Sequence, residues 1–402
     1  MPSTLHAWAV LVATLLASLV PAHLSAQTAD DLFDPDTLHE VRLFINSRDL
    51  RELRDRFTEN IYFPADMHWG ALRVRNVGVR SRGETSRSRT KPGLHVDLGR
   101  YVSGQRFLGL GSLVINNQLQ DPTLLREYLA MAFLSRMGQP APRVSLARIY
   151  INNTYQGVYT LTEDVNADFL QRRFDDTAGF LFEFRRREQP YYGEYLGDDL
   201  APYQALFEPR TRRLEADSVL YSPIRDLFRE VNQPVDALWR ERVEAFIDLQ
   251  QFVAQAAIGR FTWEQDGLLG AVGMNNFYLY RPDGSTRHRI IPWDKDLVFL
   301  VIHDPFIVRG EENELFRRAL AYHDLRALYL RTLEESARMS RTDDWLLNTV
   351  LGAAALISEA AHADSLKPFT NEAFDEGVAF LVAFAKERPQ FVLDELEQLR
   401  SP

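Results

Sequence analysis

The chain has 402 residues, with 46 basic and 56 acidic side chains, 46% hydrophobic content and 11% aromatics. That composition excludes disorder, collagen and coiled coil and is enough for a full hydrophobic core. The formal charge of −10 gives no general attraction to nucleic acid or an anionic membrane, and the absence of cysteine removes disulfides, thiolate metal sites and a cysteine nucleophile together.

In chain order, the first predicted element is an apolar run over residues 7–20, too short to span a bilayer. Pro21 and the small-residue segment Leu24-Ser25-Ala26 follow, and the chain turns polar at Gln27. This is the layout of a secretory signal peptide cleaved after Ala26, although residues 1–6 carry no Lys or Arg. The expectation is a protein of the cell envelope or the exterior, with no stable membrane insertion.

Residues 43–97 alternate with the period of half-buried strands, as in Leu72-Arg73-Val74-Arg75 and Val77-Gly78-Val79-Arg80, and predict a twisted antiparallel sheet. Asp121-Pro122 opens a predicted helix over 123–134, closed by Gly138. Strands are expected at 145–151 and 157–161, joined by Asn152-Asn153. The text from 185 to 209 is irregular and reads as a long loop. Beyond it, helical periodicity covers 235–257, as one helix or a bent pair, then 314–333, 342–356 and 375–399. One hairpin interrupts, 276–280 with 287–291 across Pro282-Asp283-Gly284. Strands first and helices after make an α+β architecture in two lobes.

Three clusters carry chemistry. In Ile291-Pro292-Trp293-Asp294-Lys295-Asp296 a strand ends in two carboxylates spaced i, i+2, which extended backbone sets on one face. Hard cations such as Mg²⁺ take one or two carboxylates, with phosphate and water completing the shell. Asp266 stands 28 positions earlier, and Asn275-Asn276 opens the intervening hairpin. An Asp, an Asn and a second Asp after a hairpin repeat the layout of a kinase catalytic loop and metal-binding Asp. The same residues also fit a turn at Asp266-Gly267 and a loop-capping Asp pair.

The second cluster, Arg80 to Lys91, mixes one Gly, several hydroxyls and five cations, including Arg82, Ser86 and Lys91. It suits phosphate oxygens, and equally a solvated basic loop, since it lacks a Walker pattern. Lysine is rare here, at 91, 295, 367 and 386 only, so 42 of the 46 basic side chains are Arg. Two of the four lysines fall in these motifs, where an ammonium differs from a planar fork at a phosphate. Third, Glu127 on the predicted helix is positioned to pair with Lys91 if that helix packs over the sheet. No H-E-x-x-H or G-x-S-x-G string is present, which leaves zinc and serine-nucleophile chemistry unsupported.

Taken in order, these segments resemble the CotH kinase family, the spore coat protein H type of atypical protein kinase. The resemblance runs from about residue 77 to the C-terminus. It is carried by Gly78-Val79-Arg80-Ser81-Arg82-Gly83-Glu84-Thr85-Ser86, the Leu-Leu-Arg-Glu ending at Glu127, Pro140-Ala141-Pro142-Arg143, Tyr150-Ile151-Asn152 with Gly157-Val158-Tyr159, Asn276-Phe277-Tyr278-Leu279-Tyr280, and the block from Ile291 to Asp296. It implies a divergent two-lobed kinase-like fold. After a 1–26 signal peptide and a 27–76 extension of strands, the kinase domain would fill 77–402, with an N-lobe to about 165 and a C-lobe from 166.

The resemblance also implies ATP and Mg²⁺ as cofactors and γ-phosphoryl transfer to Ser or Thr of an exported or surface protein, with no nucleic-acid partner. Arg82, Ser86, Lys91, Glu127 and Glu163 would bind nucleotide, Lys91 gripping phosphates with Glu127 as its helix partner and Glu163 in the adenine-facing hinge Glu163-Asp164-Val165. Asp266 would be the catalytic Asp. Asn276, Asp294 and Asp296 would hold metal, with Asn275 the alternative to Asn276. A non-catalytic coat-like protein on the same scaffold, and transfer of AMP instead of phosphoryl, are the competing functions.

Overall fold

The computed structural model describes residues 27–305 and 312–400, so the segment 1–26, expected to be a signal peptide, lies outside the described residues. Among the described residues there are eleven strands: β1 (Leu38–Ile45), β2 (Phe63–Trp69), β3 (Leu72–Arg82), β4 (Gly93–Asp97), β5 (Ser112–Asn116), β6 (Val144–Ile151), β7 (Thr154–Glu163), β8 (Phe180–Phe184), β9 (Phe207–Pro209), β10 (Phe277–Arg281) and β11 (Arg289–Pro292). The α+β class is as expected, and β1 to β4 pair antiparallel as predicted for residues 43–97, but the first seven strands do not stay an open sheet. They close into a barrel of order β1-β2-β3-β4-β5-β7-β6, sealed by parallel pairing of β1 with β6. Alternation explains the closure. Val41, Leu43, Val77, Val79, Leu94, Val96, Ile115 and Ile149 all point inward and pack together as one buried core. β3 continues through residues 76 and 77 across a bulge, and β1 and β2 are barrel staves, so the strands of the segment 27–76 are built into the barrel.

The four remaining strands form a second, antiparallel sheet of order β11-β10-β8-β9. The stretch read as a long loop thus contributes β9 and a short helix, Ala201–Leu206. The predicted 123–134 helix starts at Arg126 and ends at Arg136. Its start is delayed because the buried Asp121 carboxylate accepts the backbone N–H groups of Thr123, Leu125 and Arg126 at 2.8–2.9 Å, which shapes a capping loop in place of a first turn. The region 235–257 is a bent pair, Trp239–Glu244 and Leu249–Phe261, broken where Asp248 caps the second helix.

The helices His323–Arg341, Trp345–His362 and Asn371–Arg400 complete the C-terminal part and share one core with Arg126–Arg136 and the second sheet. Arg388, 1% exposed, donates to the carbonyls of Arg260, Phe261, Ile302 and Asp304, and so pins the chain that leaves Asp296. Among the described residues no helix is long and apolar enough to cross a membrane.

Candidate functional site

A cleft of about 320 Å³ lies between the outer face of the barrel and the second sheet. Strand register builds its roof: Arg80 pairs with His95, His95 with Val114 and Val114 with Thr162, one transverse row across β3, β4, β5 and β7. Because neighbours alternate faces, Val79, Leu94 and Leu113 fill the barrel while this row looks outward. The floor comes from Glu183 on β8, Tyr278 on β10 and Trp293 just past β11.

Asp266, Asn276, Asp294 and Asp296 all line this cleft, as do Arg82 and Ser86. Hydrogen bonds fix the acidic end. Asn275 Nδ2 donates to both Asp266 oxygens at 3.0 Å, and Asn276 Nδ2 donates to the Asp266 carbonyl (2.9 Å) and carboxylate (3.2 Å). With its amide nitrogen committed, Asn276 keeps its Oδ1 for another partner. Asn276 and Asp294 both adopt left-handed backbone, φ 56° and 51°, and Trp293 N–H donates to the Asn276 carbonyl, so the two ends of the hairpin turn into the cleft together. Lys295 points away from the cleft. It forms a buried ion pair with Glu264 and donates to the Asn276 carbonyl at 2.9 Å, stapling the Asp266 loop to the Asp294 segment.

Negative charge is crowded here. Burial, then the Asp294 and Glu127 charges, push the Asp296 carboxyl well above its ordinary range. Burial and Asp294 likewise push Glu127 up to about 7. A divalent cation would relieve that repulsion, and the oxygen donors of Asp294, Asp296 and Asn276 suit a hard one. Among the described residues no three His, Cys, Asp or Glu side chains gather closely enough to hold a metal alone.

The basic end is preorganised. Gly83, at φ +110°, turns the chain after β3, and a Cβ there would lie 2.6 Å from Ser86 Oγ. Arg87 clamps the loop by donating to the carbonyls of Gly83 and Phe57 and to Asn60 Oδ1. The Arg82 guanidinium packs over the Trp293 ring, 5.5 Å from its centroid, without an ion pair among the described residues.

Two expectations are corrected. Lys91 does not pair with Glu127 and does not line the cleft: its Nζ donates to Asp364 Oδ2 at 2.6 Å, and both side chains are 0% exposed. Glu127 instead accepts from Asn116 (2.8 Å), Gln118 (2.5 Å) and Thr162 (3.3 Å), and Asn116 Nδ2 also reaches Asp294 Oδ1 at 3.3 Å. Glu163 faces away from the cleft, its carboxylate held by Arg143 and Arg172. The next residue, Asp164, lines the cleft in its place. Sequence reasoning also passed over Asn116 and Gln118, although three consecutive amides at 116–118 after an apolar strand were a visible signal.

A barrel and a small sheet thus hold arginines at one end of a cleft and carboxylates at the other. The chain matches the family model described as CotH kinase protein over residues 79–392, and it belongs to the CotH family. It is also 25% identical over 375 residues to the inner spore coat protein H of Bacillus subtilis (strain 168), across 89% of this chain and 97% of that relative.

Proposed function

We propose that this chain is an exported kinase that transfers the γ-phosphoryl group of Mg·ATP to a Ser or Thr hydroxyl of an exported protein. The observation that carries the reading is the convergence of Asp266, Asp294, Asp296 and the unpaired Arg82 guanidinium in one cleft, from three separated stretches of chain. Asp294, Asp296 and Asn276 Oδ1 would hold the cation, which would neutralise charge on the phosphate oxygens. Arg82 and the Ser86 loop hold the phosphates, so Arg82 takes the part expected of Lys91. Glu127 acts on the site through Asn116, which bridges it to Asp294. Asp266, oriented by Asn275 and Asn276, accepts the hydrogen bond of the acceptor hydroxyl. The hydroxyl oxygen bonds to the γ-phosphorus as the bond to the β-phosphate oxygen breaks, ADP departs, and the hydroxyl proton passes by way of Asp266 to solvent. Such chemistry asks the protein mainly for positioning and charge compensation.

A second reading, a non-catalytic surface or coat-like protein, is favoured by the name of the Bacillus relative, which describes a coat protein. Incubating the mature chain with Mg²⁺, a Ser/Thr-rich acceptor and ATP labelled at either the γ or the α phosphate separates the possibilities. Transfer of γ label supports the kinase, transfer of α label supports AMP transfer, and transfer of neither leaves the binding protein.

A further inference from the structure

The segment that leaves β8 carries three arginines in a row, of which the middle one is uncommitted. Arg185 is tied to Glu183 at 3.2 Å and to Glu208 at 2.6 Å, and Arg187 donates to the Ala205 carbonyl at 2.7 Å. Arg186 lines the cleft and makes no hydrogen bond among the described residues; its charged contact is Asp266 Oδ1, 3.7 Å from Nη1. The backbone around it is anchored at both ends. Arg185 N–H donates to the Leu206 carbonyl at 2.7 Å, and Met274 N–H, on the loop after Asp266, donates to the Tyr191 carbonyl at 2.8 Å. The base of the side chain is thus fixed while the five N–H donors of the guanidinium stay free for a ligand. At 3.7 Å the Asp266 contact is too long for a hydrogen bond. Its two side chains are 32% and 17% exposed, and an ion contact of that kind is readily exchanged for another.

We infer that Arg186 binds an oxyanion on the acceptor chain, a carboxylate or a phosphoserine two positions from the Ser or Thr that is phosphorylated, and so sets acceptor specificity. The inference rests on the kinase reading above and adds to it the residue that selects the acceptor. Arg82 packs over Trp293, next to Asp294, on the phosphate side, whereas Arg186 meets Asp266, the group that orients the acceptor hydroxyl. A hydroxyl bonded to Asp266 and an oxyanion bonded to Arg186 lie within roughly 9 Å of each other, since two hydrogen bonds of about 2.8 Å extend the 3.7 Å contact. In an extended peptide, residues two apart share a face with Cα atoms about 6.8 Å apart. An acid there reaches Arg186 while the hydroxyl reaches Asp266. One or three positions away it points to the other face.

The test measures kcat/KM of the mature chain, with Mg²⁺ and ATP, toward short peptides that differ only at the positions two before and two after a single Ser: Ala, Lys, Asp or phosphoserine. Wild-type protein should use the Asp or the phosphoserine peptide at least about 10-fold better than the Ala peptide, and the Lys peptide worst. Which of the two anionic peptides leads identifies the source of the oxyanion. Arg186→Gln should bring the anionic-to-Ala ratio within about threefold of unity. In Arg186→Glu the order should reverse, the Lys peptide being used better than the Asp peptide and better than by wild type. A poorly folded variant cannot produce that gain, and the wild-type ratio decides even if neither variant folds. Equal use of the Ala and both anionic peptides by wild type, or an anionic preference that folded Arg186→Gln leaves unmoved, overturns the inference while the kinase reading stands. No transfer to any of these peptides or to a Ser/Thr-rich protein overturns both.

Discussion

Replacing Lys91 with Met tests whether this lysine belongs to the fold or to the nucleotide site. Its ammonium sits 2.6 Å from Asp364 Oδ2 and 5.0 Å from the Tyr159 ring centroid, with both charged side chains fully enclosed. Asp364 also accepts the backbone N–H groups of Val158, Leu366 and Lys367 at 3.0–3.2 Å, and Gly157 at φ +112° makes room for it, since a Cβ would fall 2.0 Å from its Oδ2. Removing one partner of a buried pair costs about 3–5 kcal/mol because the other charge stays buried. The three backbone donors that remain on Asp364 place the loss at the lower end, near 3 kcal/mol. With roughly 2.1 cal/mol/K of unfolding entropy per residue, that is a fall of about 4 °C in Tm for a chain of this length. Lys91→Met combined with Asp364→Asn should recover more than half of the loss, since the amide keeps an oxygen for the backbone and sheds the charge.

Mg·ATP affinity, measured by titration at 10 °C where the Lys91→Met protein is folded, should stay within about threefold of wild type. Arg82→Met should do the opposite, leaving Tm almost unmoved and weakening Mg·ATP by at least about 10-fold. Equal loss of binding in folded Lys91→Met and Arg82→Met, or a Lys91→Met stability within about 1 kcal/mol of wild type, would refute the reasoning.

Other expectations follow from the same geometry. Asp266→Asn should abolish most turnover, about 10²- to 10⁴-fold, with nucleotide affinity nearly kept, whereas Asp294→Asn should lose both; steady-state kinetics beside binding titrations read the difference. His288 is buried with its Nδ1 on the Phe246 carbonyl at 2.7 Å, and burial lowers its pKa to about 3. The unfolded chain takes up a proton near pH 6.5 that the folded one refuses, so this part of the stability is present above pH 6.5 and is lost as pH falls toward 3. Denaturant midpoints at pH 6.5 and 5 should show about 2 kcal/mol more loss in wild type than in His288→Gln. Expressed with its own N-terminus in a bacterial host, the protein should be found outside the cytoplasm, and N-terminal sequencing should begin at Gln27 or close to it; an intact Met1 in soluble cytosol contradicts export.

The acidic end of the site was legible because its residues sit at the ends of a local hairpin: strand periodicity and a Pro-Asp-Gly turn mark β10 and β11, and Asn276 and Asp294 flank them. Lys91 was misplaced for the opposite reason. Its partner lies 273 positions away, and nothing local distinguishes a lysine that will meet a phosphate from one that will meet Asp364. Glu163 and Asp164 show a finer limit. The end of β7 is readable from its pattern, but adjacent residues there face opposite ways, and a one-residue error in register exchanges the residue that faces the cleft for the one clamped by arginines.

Barrel closure was equally hidden, because the parallel seam joins β1 to β6 across about a hundred residues and no local periodicity reports on which strands will pair. β9 is only three residues long, Phe207–Pro209, too short for alternation to show.

The central claim, that the cleft between barrel and second sheet performs phosphoryl transfer, is tested most directly by the intact mass of a Ser/Thr-rich acceptor after incubation with ATP and Mg²⁺. Wild-type chain should add phosphoryl groups to it, and folded Asp266→Asn and Asp294→Asn should add almost none. An acceptor left unmodified by wild-type protein that demonstrably binds Mg·ATP, or one modified equally by both variants, would contradict it.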